Sequence, residues 1–188
     1  MIEGLMDLAS AFGLSTSAGL NAYIPMLVVA LLGRFTELVQ FEEPWSALSS
    51  WWIIGLLTVL LVIETVADKI PAVDSVNDII QTLIRPTAGA ILFAAQTQSM
   101  LRLHPVLAMG CGIVLAGSVH AVKTGARPVV TATTAGMGNP IESTIEDAIA
   151  TITSLVAVIF PYLMIIWLLL FIALIVLFLR WRHWRTRR

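Results

Sequence analysis

The sequence predicts an all-α fold: a polytopic membrane helix bundle with two internal repeats and broken or re-entrant helices. Of the 188 residues, 58% are hydrophobic and 12% are charged, whereas soluble domains carry roughly 25% charged residues. A spanning helix uses about 20 residues, so a chain of this length can hold a handful of helices around one interior. We therefore expect a single integral membrane domain over residues 1–188, with the lipid bilayer as its main partner.

Five apolar segments are candidates for spanning helices. They cover residues 18–33, 51–67, 86–100, 105–122 and 155–179. The first is interrupted by Asn21 and Pro25, the second ends near Glu64, and the fourth is rich in the small residues that let helices approach closely in lipid. The last is the longest, and Pro161 predicts a bend within it.

Three segments between these spans are rich in helix-breaking or polar residues, namely residues 13–21, 123–128 and 131–140. Backbone that leaves a helix at membrane depth must be buried in protein or line a wet cavity, because lipid pairs with no N–H or C=O group. These segments are therefore either surface loops or re-entrant segments. The alignment of an internal repeat favours the second interpretation.

Residues 71–83 align with residues 140–152 at eight identical or similar positions, and both segments begin with proline and are acidic. A weaker alignment joins residues 18–22 to residues 124–128. Together they predict two repeats, about 2–100 and about 105–179, with the span 51–67 inserted in the first and a basic tail at 180–188. Repeats of this kind often build a binding site from broken helices at their interface, although a duplication can also be kept for packing alone.

Helical spacing groups the charged residues on single helix faces. Glu64 and Asp68 are four residues apart, and so are Asp74 and Asp78. A charge at bilayer depth is costly, so these side chains should face the interior and pair with one another. The expected pairs are Asp78 with Arg85, Asp68 with Lys69 or Arg127, and Glu146 or Asp147 with Arg127.

Two interpretations of these charges stay open. They are either interhelical ion pairs that fix the packing, or a site that exchanges a proton or a cation while the arginines compensate charge or bind an anionic group. The candidate substrate- or ion-binding residues are Glu64, Asp68, Asp78, Arg85, Arg127, Glu146 and Asp147, with Asn21, Lys69, Asp74, Thr82 and Asn139 in support.

The sequence contains few motifs for metal binding or catalysis. His104 and His120 are sixteen residues apart without further ligand spacing, so a zinc site is not expected, and His120 is interpreted as a hydrogen-bonded core residue. Oxygen side chains could hold a hard cation, but their spacing matches no cation-binding loop, which leaves the metal open. No phosphate-binding loop, nucleophile elbow or catalytic dyad is present. We therefore expect neither enzyme activity, a cofactor nor nucleic-acid binding.

Four motifs occur in and around the polar segments: residues 17–25, residues 64–74, residues 85–90, and Asn139 followed by Glu146 and Asp147. The combination of Ala-Asp-Lys-Ile-Pro with a later Arg-Pro resembles an uncharacterised family of small bacterial inner-membrane proteins that carry a domain of unknown function. The likeness covers nearly the whole chain up to the last helix, and it implies no activity. The chain departs from the family pattern at Asn21, where an arginine matching Arg127 is expected, so a symmetric arginine pair cannot be assumed.

The ends of the chain predict its orientation. Residues 1–7 lack the basic region of a cleavable signal peptide, so the first helix is expected to stay. Five of the eleven basic residues lie in the tail 180–188, and basic flanks favour the cytoplasm. We expect a multi-pass protein of the bacterial inner membrane with a cytoplasmic C-terminus.

Three functional hypotheses follow from the charged segments. The leading one is a small transporter or channel-like protein that moves a proton, a cation or a small solute through a polar site between the repeats. The second is binding or translocation of an anionic lipid headgroup by Arg85 and Arg127. The third is a membrane assembly or scaffold protein without transport. A homo-oligomer is plausible in each case because so small a bundle has little interior of its own.

Overall fold

The computed structural model describes residues 2–68, 70–98, 103–134 and 136–185, and within these the side chains at 71–76, 171, 174–175, 178–179 and 181–185 are left aside. Over the described residues the fold is all-α, as predicted. The helices are α1 (Ile2–Leu20), α2 (Tyr23–Phe35), α3 (Trp51–Ala67), α4 (Pro71–Thr97), α5 (Pro105–Thr134), α6 (Asn139–Ile159) and α7 (Pro161–Arg185), with a short 3-10 helix at Trp45–Ser49.

Helix α1 forms the centre of the bundle and contacts α2, α4, α5, α6 and α7. Its buried positions are mostly glycine, alanine and serine, which let neighbouring backbones approach closely. Two of the buried serines bond to α6: the Ser10 hydroxyl donates to the Ala157 carbonyl at 2.7 Å and the Ser17 hydroxyl to the Ala150 carbonyl at 2.8 Å. These bonds fix α6 against α1.

The first predicted span, residues 18–33, is not one helix: the chain breaks at Asn21, where an interruption is predicted, and at Ala22, whereas Pro25 lies within α2. The side-chain carbonyl of Asn21 accepts hydrogen bonds from the backbone N–H groups of Tyr23 at 2.9 Å and Ile24 at 3.1 Å. It thereby caps the start of α2, since the first N–H groups of a helix have no partner within the helix. The glycine-containing residues 13–20, predicted as a break, are helical.

The second predicted break, residues 123–128, is also wrong. It lies inside α5, which continues through Pro128 to Thr134 and so extends the predicted span 105–122. Likewise residues 86–97 of the predicted short helix 86–100 form the second half of α4, which continues through Pro86, while residues 99 and 100 lie outside the described residues. The reason is that packing of whole helix faces outweighs one missing backbone hydrogen bond: the face of α5 that carries His120, Lys123 and Arg127 is buried.

The last predicted span, residues 155–179, is divided at Pro161 into the end of α6 and α7, and the chain direction bends by 116° between the two helices. The predicted bend is therefore confirmed, but it is too sharp for one straight helix. Among the described helices, α5 has the length and composition to cross a membrane, and α6 with α7 would be a second if the bent pair counts as one span. Helices α2 and α3 are shorter apolar helices, and the second predicted span, residues 51–67, coincides with α3.

The crossing of α4 and α5 depends on two glycines. A Cβ atom on Gly112 would overlap the backbone carbonyl of Gly89, and a Cβ atom on Gly89 would lie 2.7 Å from the carbonyl oxygen of Gly112. Backbone atoms cannot move aside as a flexible side chain can. The close approach of the two helices is therefore possible only with glycine at both positions.

Gly112→Ala is expected to destabilise the protein by about 1–3 kcal/mol, because the added methyl forces α4 and α5 apart. The matched control is Gly110→Ala, two residues away on the same helix, where an added Cβ meets no atom within 4 Å. Alanine is the better helix former there, so the control should be neutral or slightly stabilising. Melting curves of both variants in detergent measure the difference in stability. Equal melting temperatures would contradict the close crossing of α4 and α5 at these glycines.

Candidate functional site

Charged side chains from four helices meet in the interior, next to the break between α1 and α2. This charged cluster consists of Glu64, Asp68, Asp78, Arg85, Lys123, Arg127, Glu146 and Asp147. Its members come from α3 and its C-terminal end, from α4, from α5 and from α6. Hydrogen bonds and ion pairs connect these elements to one another and to Leu20 and Asn21 at the break.

The innermost ion pair joins Glu64 to Arg85. The Arg85 guanidinium lies 3.1 Å from Glu64 Oε1, and the two side chains are 0% and 1% exposed. The same guanidinium lies 3.2 Å from His120 Nδ1. Because arginine can only donate, Nδ1 accepts this bond and the His120 proton sits on Nε2.

With its proton on Nε2, His120 extends the hydrogen-bond network from Arg85 to Thr82. His120 Nε2 lies 3.1 Å from the Thr82 hydroxyl, which itself donates to the Asp78 carbonyl at 2.9 Å. Nε2 is therefore the donor to Thr82. His120 is buried and hydrogen-bonded, as expected of a core residue, and it connects the exposed Thr82 to the buried Arg85.

Two further ion pairs involve α5. Arg127 pairs with Asp78 of α4. Lys123 lies 2.6 Å from Glu146 Oε2 on α6 and donates to the Leu20 carbonyl at 3.3 Å. Lys123 therefore pairs with a carboxylate and also with a carbonyl at the end of α1, where the helix has no internal donor for it.

Asp68 and Asp147 are held by neutral donors. Asp68 accepts hydrogen bonds from the Asn77 amide at 2.7 Å and the Ser143 hydroxyl at 2.9 Å. Asp147 accepts from the Asn21 amide at 2.9 Å. Ser143 and Asp147 are one turn apart on α6, which brings the two carboxylates to neighbouring positions on its surface.

The contacts of the two aligned segments are reciprocal. In the alignment of 18–22 with 124–128, Asn21 corresponds to Arg127, and in that of 71–83 with 140–152, Asp78 corresponds to Asp147. Asn21 contacts Asp147, and Arg127 contacts Asp78. Each residue thus bonds to the acidic residue of the other segment.

The structure brings all seven candidate substrate- or ion-binding residues into the charged cluster. The predicted pair of Asp68 with Lys69 lies outside the described residues. The predicted pair of Asp78 with Arg85 is wrong, because Arg85 pairs with Glu64 and Asp78 with Arg127. Glu146 pairs with Lys123 instead of the predicted arginine.

The supporting residues lie in different places in the structure. Asn21 and Thr82 contact the cluster or His120, whereas Asn139 accepts from the Thr131 hydroxyl at 3.1 Å. Lys69 lies outside the described residues, and so does the side chain of Asp74.

Sequence reasoning missed Lys123, Asn77 and Ser143 as members of the site. Lys123 is four residues before Arg127, and Ser143 is four residues before Asp147, so each shares a helix face with a candidate that was named. Extending every charged position by one helical turn would have found both. Asn77 was visible only as the neighbour of Asp78.

A cavity of about 640 Å³ opens between α4, α5 and the start of α6. Its polar lining consists of Asp78, Thr82, Thr124, Arg127, Thr131 and Asn139. It therefore reaches the Asp78–Arg127 ion pair from outside. Among the described residues, no group of three or more His, Cys, Asp or Glu side chains is arranged to hold a metal ion.

The chain belongs to the family described as "Domain of unknown function (DUF4126)", whose model matches residues 8–181. The predicted likeness to an uncharacterised domain family is thereby confirmed. Comparison with curated proteins and with solved structures finds no match.

Proposed function

We propose that this protein is a small transporter or channel-like protein of the bacterial inner membrane, whose interior carboxylates take up a proton or a cation. The observation that carries the proposal is the charge balance of the cluster. Five carboxylates face three basic side chains within the described residues: Glu64, Asp68, Asp78, Glu146 and Asp147 against Arg85, Lys123 and Arg127. Two negative charges are left over in the part of the cluster that the structure describes.

Excess buried charge is costly unless it is neutralised. Asp68 and Asp147, which are held by neutral donors, are the carboxylates that a proton or a cation would neutralise. The buried Oε2 atom of Glu64 also takes no hydrogen bond from the described residues. An interior rich in acceptors favours a positively charged species.

The distribution of apolar residues supports a membrane location. Large apolar side chains are exposed on several helices, among them Trp52, Val59, Leu83, Val122 and Leu169, while the charged cluster is inside. An apolar exterior around a polar interior suits lipid as the solvent. In this proposal the two aligned segments form repeats, and the basic tail lies on the cytoplasmic side.

Uptake of protons and monovalent cations by proteoliposomes tests the proposal. The wild-type protein is expected to exceed empty vesicles, and Asp68→Asn and Asp147→Asn should each lower the uptake by about tenfold or more, since each removes an exchangeable charge from the site. Glu42→Gln, on the exposed connection after α2, is the control and should transport normally.

The outcome can also go against the proposal. Wild-type uptake equal to that of empty vesicles for protons and common cations would leave a scaffold role as the better interpretation. The hypothesis of a headgroup bound by two arginines is not supported by the position of Arg85, which is fully buried and paired with Glu64. Arg127, in contrast, lines an open cavity.

A further inference from the structure

We propose that a proton binds between the Glu64 carboxylate and the side-chain carbonyl of Gln81, next to the innermost ion pair of the cluster. Glu64 carries this proton on its Oε2 atom and donates it to Gln81 Oε1. The inference deepens the proposed function, on which it rests, because it names the proton as the ligand and Glu64 as the residue that takes it up. The charge balance alone does not choose among the five carboxylates.

Helix α4 presents three side chains, spaced one turn apart, to the end of α3: Asn77, Gln81 and Arg85. The Asn77 amide donates to Asp68 at 2.7 Å, and the Arg85 guanidinium lies 3.1 Å from Glu64 Oε1. These two contacts pair the residues in opposite chain order, so the helices are antiparallel here. Gln81 therefore lies between the two contacts and faces the same turn of α3.

Two buried acceptors in this region lack a donor. Glu64 and Gln81 are 2% and 1% exposed, and neither Glu64 Oε2 nor Gln81 Oε1 takes a hydrogen bond from the described residues. Tyr23 of α2 lies next to the Gln81 side chain and interacts electrostatically with Glu64, which places both acceptors in the same region between α2, α3 and α4. Asp68, in contrast, has a donor on each oxygen. A buried acceptor without a donor is unfavourable, and here two occur together.

A single proton supplies the donor that both acceptors lack. On Glu64 Oε2 it forms a carboxylic acid, whose O–H group can donate to Gln81 Oε1. Glu64 Oε1 keeps its bond from Arg85, so the contact between these two side chains is retained. A larger cation would need space beside two fully buried oxygens and would lie next to the Arg85 guanidinium, whereas a proton needs no additional space.

Two rearrangements without a proton could also give Glu64 Oε2 a donor. The Arg85 guanidinium could rotate until its Nε atom, which has no acceptor among the described residues, meets Oε2, or the Gln81 amide could turn its NH2 group towards it. Both leave Glu64 ionised, so the described part of the cluster keeps its excess of two negative charges. Protonation reduces the excess to one, and it is favoured because excess buried charge is costly.

Infrared difference spectroscopy of the purified full chain in detergent tests the proposal, because a protonated carboxylic acid has its own C=O stretching band. Between about pH 8 and about pH 5.5, exposed carboxylates stay ionised, so a band in this range comes from the interior. The titratable and charged groups that face Glu64 from the surrounding elements are Tyr23, Asp68, Arg85, His120 and Lys123. Of these, only Asp68 could give such a band itself.

The wild-type protein is expected to gain the band as the pH is lowered through this range. Glu64→Gln should lose it, whereas Glu64→Asp keeps an acid and should shift it. Gln81→Met removes the acceptor and should move the band to higher frequency, because a hydrogen bond donated by the acid lowers its C=O frequency. Asp68→Asn should keep the band. Gln96→Met, on the same helix but in the lining of a different cavity, is the matched control and should leave the band unchanged.

A wild-type protein without the band overturns the proposal, and so does a band that survives Glu64→Gln or disappears in Asp68→Asn. A band that is lost in Glu64→Gln but is not shifted by Gln81→Met also overturns it, since Gln81 is then not the acceptor. If Glu64→Gln does not fold, Glu64→Asp and Gln81→Met decide, and both must shift the band. Because the spectra measure proton binding without transport, uptake by proteoliposomes of a protein that lacks the Glu64 band would leave the proposed function standing.

Discussion

Arg85→Gln is expected to destabilise the fold by about 3–5 kcal/mol, the cost of breaking a buried ion pair by removing one partner. Glu64, whose side chain is 1% exposed, would keep its place without its counter-ion. His120 would also lose the guanidinium donor that now lies 3.2 Å from its Nδ1 atom. Unfolding titrations in mixed detergent micelles measure the loss as a difference in unfolding free energy.

The double variant Glu64→Gln with Arg85→Gln separates charge from packing. It removes both charges and keeps two amides that can pair, so most of the lost stability should return. Arg34→Gln is the matched control: Arg34 is exposed and stacks over the Trp51 ring at 4.4 Å, which is worth only about 0.5–1 kcal/mol at such a site. If Arg85→Gln is no worse than Arg34→Gln, the ion pair contributes nothing to the fold.

Asn21→Ala is expected to lower stability by about 2–4 kcal/mol, because one side chain performs two tasks. Its carbonyl oxygen caps α2 through the N–H groups of Tyr23 and Ile24, and its amide donates to Asp147. The variant therefore loses a helix cap and leaves a partly buried carboxylate without that donor. Thermal unfolding in detergent gives the loss in stability.

Two comparisons separate these tasks. Ser50→Ala removes a cap from α3, where the Ser50 hydroxyl accepts from the Ile53 N–H group at 3.3 Å, and should cost only about 1 kcal/mol. Adding Asp147→Asn to Asn21→Ala should recover the part that is due to the carboxylate. If the double variant is as unstable as Asn21→Ala, Asp147 does not depend on Asn21 for its compensation.

The asymmetry between the aligned segments has a chemical consequence. Arg127 compensates Asp78 with a full positive charge, whereas Asn21, at the corresponding position, gives Asp147 only an amide. An arginine at position 21 would reduce the excess of two negative charges in the cluster to one. Asparagine at position 21, where an arginine like Arg127 is predicted, is thus one source of the negative interior on which the proposed cation uptake depends.

Much of the fold could be predicted because its signals are local. Helix α3 coincides with an uninterrupted apolar segment, and both acidic helices begin at or next to a proline, Pro71 in α4 and Pro140 in α6. Proline fits the first turn of a helix, where its missing N–H costs nothing. From local sequence Pro128 also predicts a helix boundary, yet α5 continues through it. Its effect depends on neighbouring helices, which no local pattern contains.

The members of the site were predictable for a similar reason, and their pairing was not. In a chain with so few charged residues, each buried charge requires a partner, so composition and helical spacing alone identified Glu64, Arg85 and Asp147 as interior residues. Which acid meets which base depends on how far each helix is shifted and rotated against the next. Lys123 shows this, because its two partners lie on α1 and α6, at sequence separations of 103 and 23 residues.

The sequence by itself determined the helical class, the position of α3, the bend at Pro161 and seven of the acidic and basic residues that lie inside, because these follow from hydrophobicity, proline geometry and the cost of buried charge. Only the tertiary structure decided that the Asn21 side chain caps α2, that Glu64 pairs with Arg85, and that a cavity reaches Asp78 and Arg127. These features arise where helices distant in sequence meet, and the packing of whole helix faces selects them.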